Sequence, residues 1–211
     1  MTLKITPPKL REEQLMPEPE LYLESRIEIQ NAAVGPTELL ELDYDKVSFD
    51  RVWFKQVTVL DSALRGAEFT DVVFEDCDLS NMNLTDAFLN RVAFKRCKLI
   101  GTDFGSSRMQ HVRMSDCIGD YANFRLGKMK SVIFEDCSLL GSDLYAAEVQ
   151  QFALDRCKID GINLSEVKLK DVDLSRCEFD SLIVNPEDLA GCRIAPHQAA
   201  VFVGLLGLIM E

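Results

Sequence analysis

Cys77, Cys97, Cys117, Cys137, Cys157 and Cys177 recur at intervals of twenty residues, six of the seven cysteines in the chain. Within the twenty lies a period of five: Phe49, Phe54, Val59, Leu64, Phe69, Phe74, Leu79, Leu84 and Leu89 hold one phase. It continues through Phe94, Leu99, Phe104, Met109 and Met114, and from Phe124 to Phe179, with Gly119 the single position that is not large and apolar. Five matches neither the 3.6-residue repeat of a helix nor the alternation of a flat strand, so the chain is a repeat structure.

Two positions before each large residue stands a smaller or β-branched one, as in Val72, Cys77, Ala87, Val92, Cys97 and Thr102, with Met82 the exception. Two inward side chains separated by an outward one describe a short extended side, and the other two residues of each five turn a corner. Four sides close a square of twenty residues. Stacked squares place residue n over residue n+20, predicting ladders such as Phe54, Phe74, Phe94, Met114, Phe134 and Val52, Val72, Val92, Val112, Val132. Backbone groups then pair between coils as in a parallel sheet, about 4.8 Å apart.

Stretches such as Cys77-Asp78-Leu79-Ser80-Asn81, Met82-Asn83-Leu84-Thr85-Asp86 and Val172-Asp173-Leu174-Ser175-Arg176 resemble the motif of the pentapeptide-repeat family over most of the chain. The resemblance implies an all-β solenoid, a right-handed quadrilateral β-helix of about eight coils, here with a short C-terminal α-helix.

The phase runs from about Ser25 to Ile194, giving an N-terminal arm (1–24), a β-helix (25–194) and a C-terminal helix (195–211). Pro7, Pro8, Pro17 and Pro19 among charged residues favour an extended arm, expected as a tail or folded over the first coil. Pro196 suits the first turn of a helix, and the apolar residues after it are expected to plug the last coil. The sequence of this end looks like that of family members which dimerise there. The resemblance thus implies a homodimer, with Phe202, Leu205, Leu206, Leu208 and Ile209 as candidate interface residues. The first thirty residues hold no apolar run of the kind a secretory leader requires, so a cytoplasmic location is expected.

No catalytic residues, cofactor site or metal site are expected. The cysteines fill the inward small-residue slot, where a thiol packs as a small hydrophobe, and a ladder spreads ligands along an axis rather than converging them as zinc requires. His111 and His197, the only histidines, are far apart in sequence and lack a neighbouring nucleophile in the repeat geometry. Neither a phosphate loop nor a dinucleotide fingerprint is present. Asn83, Asp103, Asn123, Asp143 and Asn163 occupy the motif's own Asx slot and are expected to bond between coils. Gly119 should leave a hole, with Ile118 and Tyr121 as the candidates to fill it.

The net charge of −12 suits a basic protein surface as partner rather than direct nucleic-acid contact. The resemblance extends to family members that protect DNA gyrase and topoisomerase IV from quinolones and are proposed to act as DNA mimics. It implies a non-catalytic ligand of these enzymes; the alternative is a scaffold or immunity protein whose partner is unrelated to DNA topology. Charge is unevenly spread. Residues 1–45 carry ten acids and four bases, whereas 62–181 carry twenty acids and fifteen bases. The side built on Phe69 through Leu169 leans basic. The side beginning at the cysteines carries Asp78, Asp120, Asp160, Glu178 and Asp180 against Lys98 and Lys158, and these five acids are the candidate partner-binding residues. Some quinolone-protecting members carry projecting loops; the phase here is unbroken from Phe49 to Phe179.

Overall fold

The computed structural model describes residues 3–18 and 20–205. The chain winds into a parallel β-solenoid of about eight coils with one short C-terminal helix. Its spine is an eight-stranded sheet: β1 (Met16–Pro17), β2 (Glu28–Val34), β3 (Ser48–Lys55), β4 (Glu68–Glu75), β5 (Phe88–Lys95), β6 (Arg108–Ser115), β7 (Lys128–Glu135) and β8 (Glu148–Asp155). From β2 onward every pairing is parallel and offset by twenty, as in Phe74 beside Phe94 and Met114 beside Phe134. Each of these strands bends through a corner and so builds two sides of the square. The other two sides are built from two-stranded ladders near the ends, such as Thr37–Leu40 beside Val57–Leu60, and from short bridges between them, such as Asp78 to Lys98 and Asn83 to Asp103. Seven steps between eight strands make the sheet about 34 Å tall.

The corners explain the period of five. From Glu41 to Asp171 every fifth residue adopts left-handed backbone, as do Arg26 and Asn31 before Pro36 interrupts the series, with φ between 46° at Asp61 and 70° at Arg26 among the non-glycines. Gly66, Gly101, Gly141 and Gly161 occupy the same slot. Left-handed backbone is unfavourable for most side chains, and the ladder on either side of each corner holds it in place. On the two bridge-built sides the turn also closes on itself, the amide of Ala87 donating to the Leu84 carbonyl at 3.2 Å and that of Thr102 to Leu99 at 3.1 Å.

The predicted ladders fill the interior. Phe54, Phe74 and Phe94 lie ring over ring at 4.8 Å with interplanar angles of 6° and 4°. Phe104 and Phe124 repeat this on another side at 5.2 Å and 3°. Rings on adjacent sides meet edge to face, as Phe94 does with Phe104 at 6.2 Å. All six ladder cysteines are buried and free, and each thiol donates to backbone carbonyls, Cys97 to Phe74 at 3.5 Å and to Lys95 at 3.4 Å.

The two ends are closed differently. Leu21 and Leu23 fold under the first coil and join the core. At the far end Pro196 opens a 3-10 turn (Pro196–Gln198) that leads into α1 (Ala199–Leu205). The buried Gln198 amide donates to the carbonyls of Leu174 at 2.9 Å and Cys177 at 2.8 Å, sealing the last coil. Phe202 packs edge-on against Phe179 at 6.0 Å.

Asp188, 3% exposed, is the charged keystone of this end. It accepts from the Lys168 ammonium at 2.6 Å, the Glu166 amide at 3.0 Å and the Asn185 side chain at 3.0 Å. Burial acts to raise its pKa, and these three donors outweigh it, holding the carboxyl below its usual value. A carboxyl with a lowered folded pKa adds stability that is present above its unfolded value, near ~4, and lost as pH falls through the folded one. The thermal midpoint should therefore be level near neutrality and fall in acid. Asp188→Asn should lower the midpoint at neutral pH and flatten the acid decline; a decline as steep as wild type would remove Asp188 from this role.

Candidate interaction surface

The side beginning at the cysteines carries the five candidate acids, and the structure divides them. Asp120 accepts from the Ser138 hydroxyl and from the Leu140 amide at 3.0 Å. Asp160 accepts from the amides of Asp180 at 2.9 Å and Ser181 at 2.6 Å and from the Ser181 hydroxyl at 3.0 Å. The Asp180 N–H, then the Ser181 hydroxyl and N–H, hold the Asp160 carboxyl below its usual value. Both acids thus tie one coil to the next. Asp78 binds the Ser80 amide and hydroxyl, with Lys98 at 3.4 Å. Glu178 and Asp180 are exposed and form no ion pair among the described residues.

Two local expectations are revised by the structure. The Asx ladder bonds chiefly within its own coil: the side-chain oxygens of Asn83, Asp103, Asn123, Asp143 and Asn163 accept from the amide two residues on, at 2.8 to 3.1 Å. Only Asn123 to Asp103, at 2.7 Å, joins two coils along that ladder. The reason is reach, since an Asx side chain meets its own i+2 amide without leaving the corner. The gap at Gly119 is filled by Leu139, whose Cδ2 lies 3.0 Å from where a Cβ would stand. Ile118 and Tyr121 remain outside, 41% and 71% exposed. The cross-coil pairs Asp76–Arg96 and Asp136–Arg156 are formed, at 2.7 and 2.6 Å. Being exposed, they add little stability.

Of the proposed dimer residues, Phe202 is engaged with Phe179 and Leu205 ends α1; Leu206, Leu208 and Ile209 lie outside the described residues. His111 accepts from the Thr6 amide at 3.4 Å, and His197 is exposed. Among the described residues no three of His, Cys, Asp and Glu are grouped as metal ligands would be, and no helix is long and apolar enough to cross a membrane. Burial pushes the thiols of Cys177 and Cys192 up to about 11. Only Cys192 is partly accessible. A thiol reagent at neutral pH should therefore reach only Cys192 in the native protein, slowly because its thiol is held protonated, and the remainder only after unfolding; fast reaction of several would mean the ladder breathes.

A sequence signal that the inward periodicity does not capture lies on the outer face of the long sheet. Ala33, Trp53, Val73, Ala93, Ile133 and Ala153 stand at one outward position, twenty apart, interrupted by Arg113. The N-terminal arm runs along part of this stripe. Thr6 lies at the level of β6, the Lys9 amide donates to Asp71 of β4 at 2.8 Å, and β1 pairs with Ala32 and Ala33 of β2.

A coiled ladder with a left-handed corner every five residues and a small-then-large inward pair on each side defines a pentapeptide-repeat β-solenoid. The sequence model of that family, described as the pentapeptide repeat region, matches residues 36–104 and 127–199, and the chain belongs to it. The unmatched interval holds Gly119, yet its backbone keeps the twenty-residue register. A comparison with curated proteins finds no match. Among solved structures the chain is similar to QnrB1, a plasmid-mediated fluoroquinolone resistance protein, at 15% identity over 93% of this chain and 96% of that one, with a TM-score of 0.44. It is also similar to HetL, a pentapeptide repeat protein involved in heterocyst differentiation regulation from the cyanobacterium Nostoc sp. strain PCC 7120, at 15% identity over 81% and 84%, with a TM-score of 0.46.

Proposed function

We propose that this chain is a non-catalytic interaction module that acts as a partial DNA mimic. In this reading it binds DNA gyrase or topoisomerase IV in the cytoplasm and modulates the enzyme or protects it from quinolones. The observation that carries the reading is a rigid, uninterrupted rod, in a chain of net charge −12, whose acids are fixed in register by the coil. A surface complementary to a basic groove gains on-rate and specificity from such fixed charge. The contact is placed on the cysteine side, where Glu178 and Asp180 are free to meet a partner and Asp78 is partly so. Asp120 and Asp160 shape that side while serving the coil. Two copies joined through α1 and the residues that follow it would double the length of the rod.

The test is a gyrase supercoiling assay with increasing protein, with and without ciprofloxacin, beside direct binding at two salt concentrations. Binding that weakens with salt, together with inhibition or drug protection, is expected. The triple variant Asp78→Lys, Glu178→Lys, Asp180→Lys should weaken binding by roughly ten- to a hundredfold without unfolding the rod. Absence of binding at micromolar protein would favour a scaffold or immunity protein with an unrelated partner. Sedimentation of Leu205→Glu with Leu208→Glu reads the seam: a monomer is expected, and a persistent dimer would place the contact elsewhere.

A further inference from the structure

The arm sits on the sheet without filling the space beneath it. Leu3, Ile5, Pro8 and Leu10 are half-buried while Lys4, Lys9 and Glu12 face solvent, so the segment is amphipathic with its apolar edge inward. Below it, Trp53, Val73 and Ala93 form the apolar floor. A cleft of about 590 Å³ remains between the two, with Lys95, His111, Arg113 and Glu12 also lining it. The Trp53 Nε1 is shielded from water and finds no acceptor among the described residues. A buried donor left without a partner is costly, and unfilled apolar volume forfeits packing.

One part of the contact is fully built. Asp71, 4% exposed, holds the Arg91 guanidinium through two bonds of 2.6 Å and takes the Lys9 amide as its third donor. This anchor reads only a backbone N–H, so any extended segment can supply it. The bond from Thr6 to His111 at 3.4 Å is long, and Pro7 and Pro8 have no N–H to give the sheet. The arm is therefore a generic strand seated on a specific surface.

We propose that this outward face is a docking groove for an extended peptide segment of a partner protein, and that residues 3–12 occupy it as an internal stand-in which that segment displaces. The fitting segment places an N–H on Asp71, a large apolar side chain in the cleft and a carbonyl or carboxylate oxygen on Trp53 Nε1. The groove lies on a different side from the acids assigned to the topoisomerase contact, so either reading can fail without the other.

Trp53 is the only tryptophan in the chain and reports on the groove directly. In the wild-type protein its emission should be blue-shifted and shielded from acrylamide. In the full chain carrying Ile5→Asp and Leu10→Asp, quenching should rise roughly threefold and tryptic cleavage after Lys9 should quicken at least about tenfold, while circular dichroism stays that of the coil. A synthetic peptide with the sequence of residues 3–15 should then restore the shielding, with a dissociation constant between about 10 µM and 1 mM. The same peptide bearing aspartate at the Ile5 and Leu10 positions should not. Freely quenched Trp53 in the wild type would show that the arm does not seat. A folded double variant that ignores the wild-type peptide at about 1 mM would show that the face accepts no segment in trans, and either result overturns the proposal.

Discussion

Phe94→Ala is expected to cost about 3–5 kcal/mol of stability, among the largest effects of any single substitution in the chain. Phe94 is 0% exposed and touches two ladders at once, stacked on Phe74 and edge-on to Phe104. The rigid backbone ladder around it prevents collapse into the hole, which keeps the cost at the upper end of the range for such truncations. Because each coil contacts only its neighbours, the damage is also expected to divide the rod. Denaturant unfolding followed by tryptophan emission, which reports on the coil of Trp53, should separate from unfolding followed by circular dichroism. A single coincident transition with a loss below about 1 kcal/mol would show that the interior repacks as a smaller residue at a flexible site would.

Gly35→Ala is expected to be comparably severe at the N-terminal end. Gly35 has a φ of 114°, and an added Cβ would be driven into the carbonyl oxygen of Lys55 on the next coil, with the Lys55 carbonyl carbon and Val57 Cγ2 at 3.0 Å. Backbone cannot move aside there without breaking the ladder between β2 and β3, so a loss of at least about 3 kcal/mol is expected. By contrast Gly161→Ala, whose nearest neighbour is 3.9 Å away, meets only the modest cost of a left-handed alanine, about 1–2 kcal/mol. Comparing the two melting curves separates a steric from a purely conformational penalty. Equal losses would mean that φ alone governs both positions.

Much of this fold is legible in the chain because each coil repeats the same physical problem. Phe54, Phe74 and Phe94 announce the interior by phase alone, and Val72 or Cys77 announce the slot beside it. The corners were legible as a gap of two residues, though their left-handed backbone was not, since Arg91, Asp76 and Leu126 all accept it and share no chemistry. Side-chain reach is where periodicity stops informing: it stacked Asn83 over Asp103 but did not say that each would turn back to its own corner. Likewise a vacancy at Gly119 could be inferred, whereas Leu139 filling it from the next coil depends on rotamers. The seat of the arm was not legible: Pro7, Pro8, Pro17 and Pro19 among charged residues point to an extended tail, or one folded over the first coil, and do not say that Leu3, Ile5, Pro8 and Leu10 turn inward on the outer face of the sheet. The stripe Trp53, Val73, Ala93 was the available clue, an apolar run at one outward position of successive coils.

The twenty-residue register makes length a quantised variable. An insertion of twenty residues would lengthen the rod by one step of about 4.8 Å and leave every face aligned, whereas an insertion of five would rotate all later faces by a quarter turn. The arm constrains where even whole coils can be added, because it is tied to β2 at one end and reaches His111 of β6 at the other. Extra coils after β6 leave that span intact. An extra coil between β2 and β6 makes the arm too short by one step, so the strap serves as a gauge of the coils it crosses.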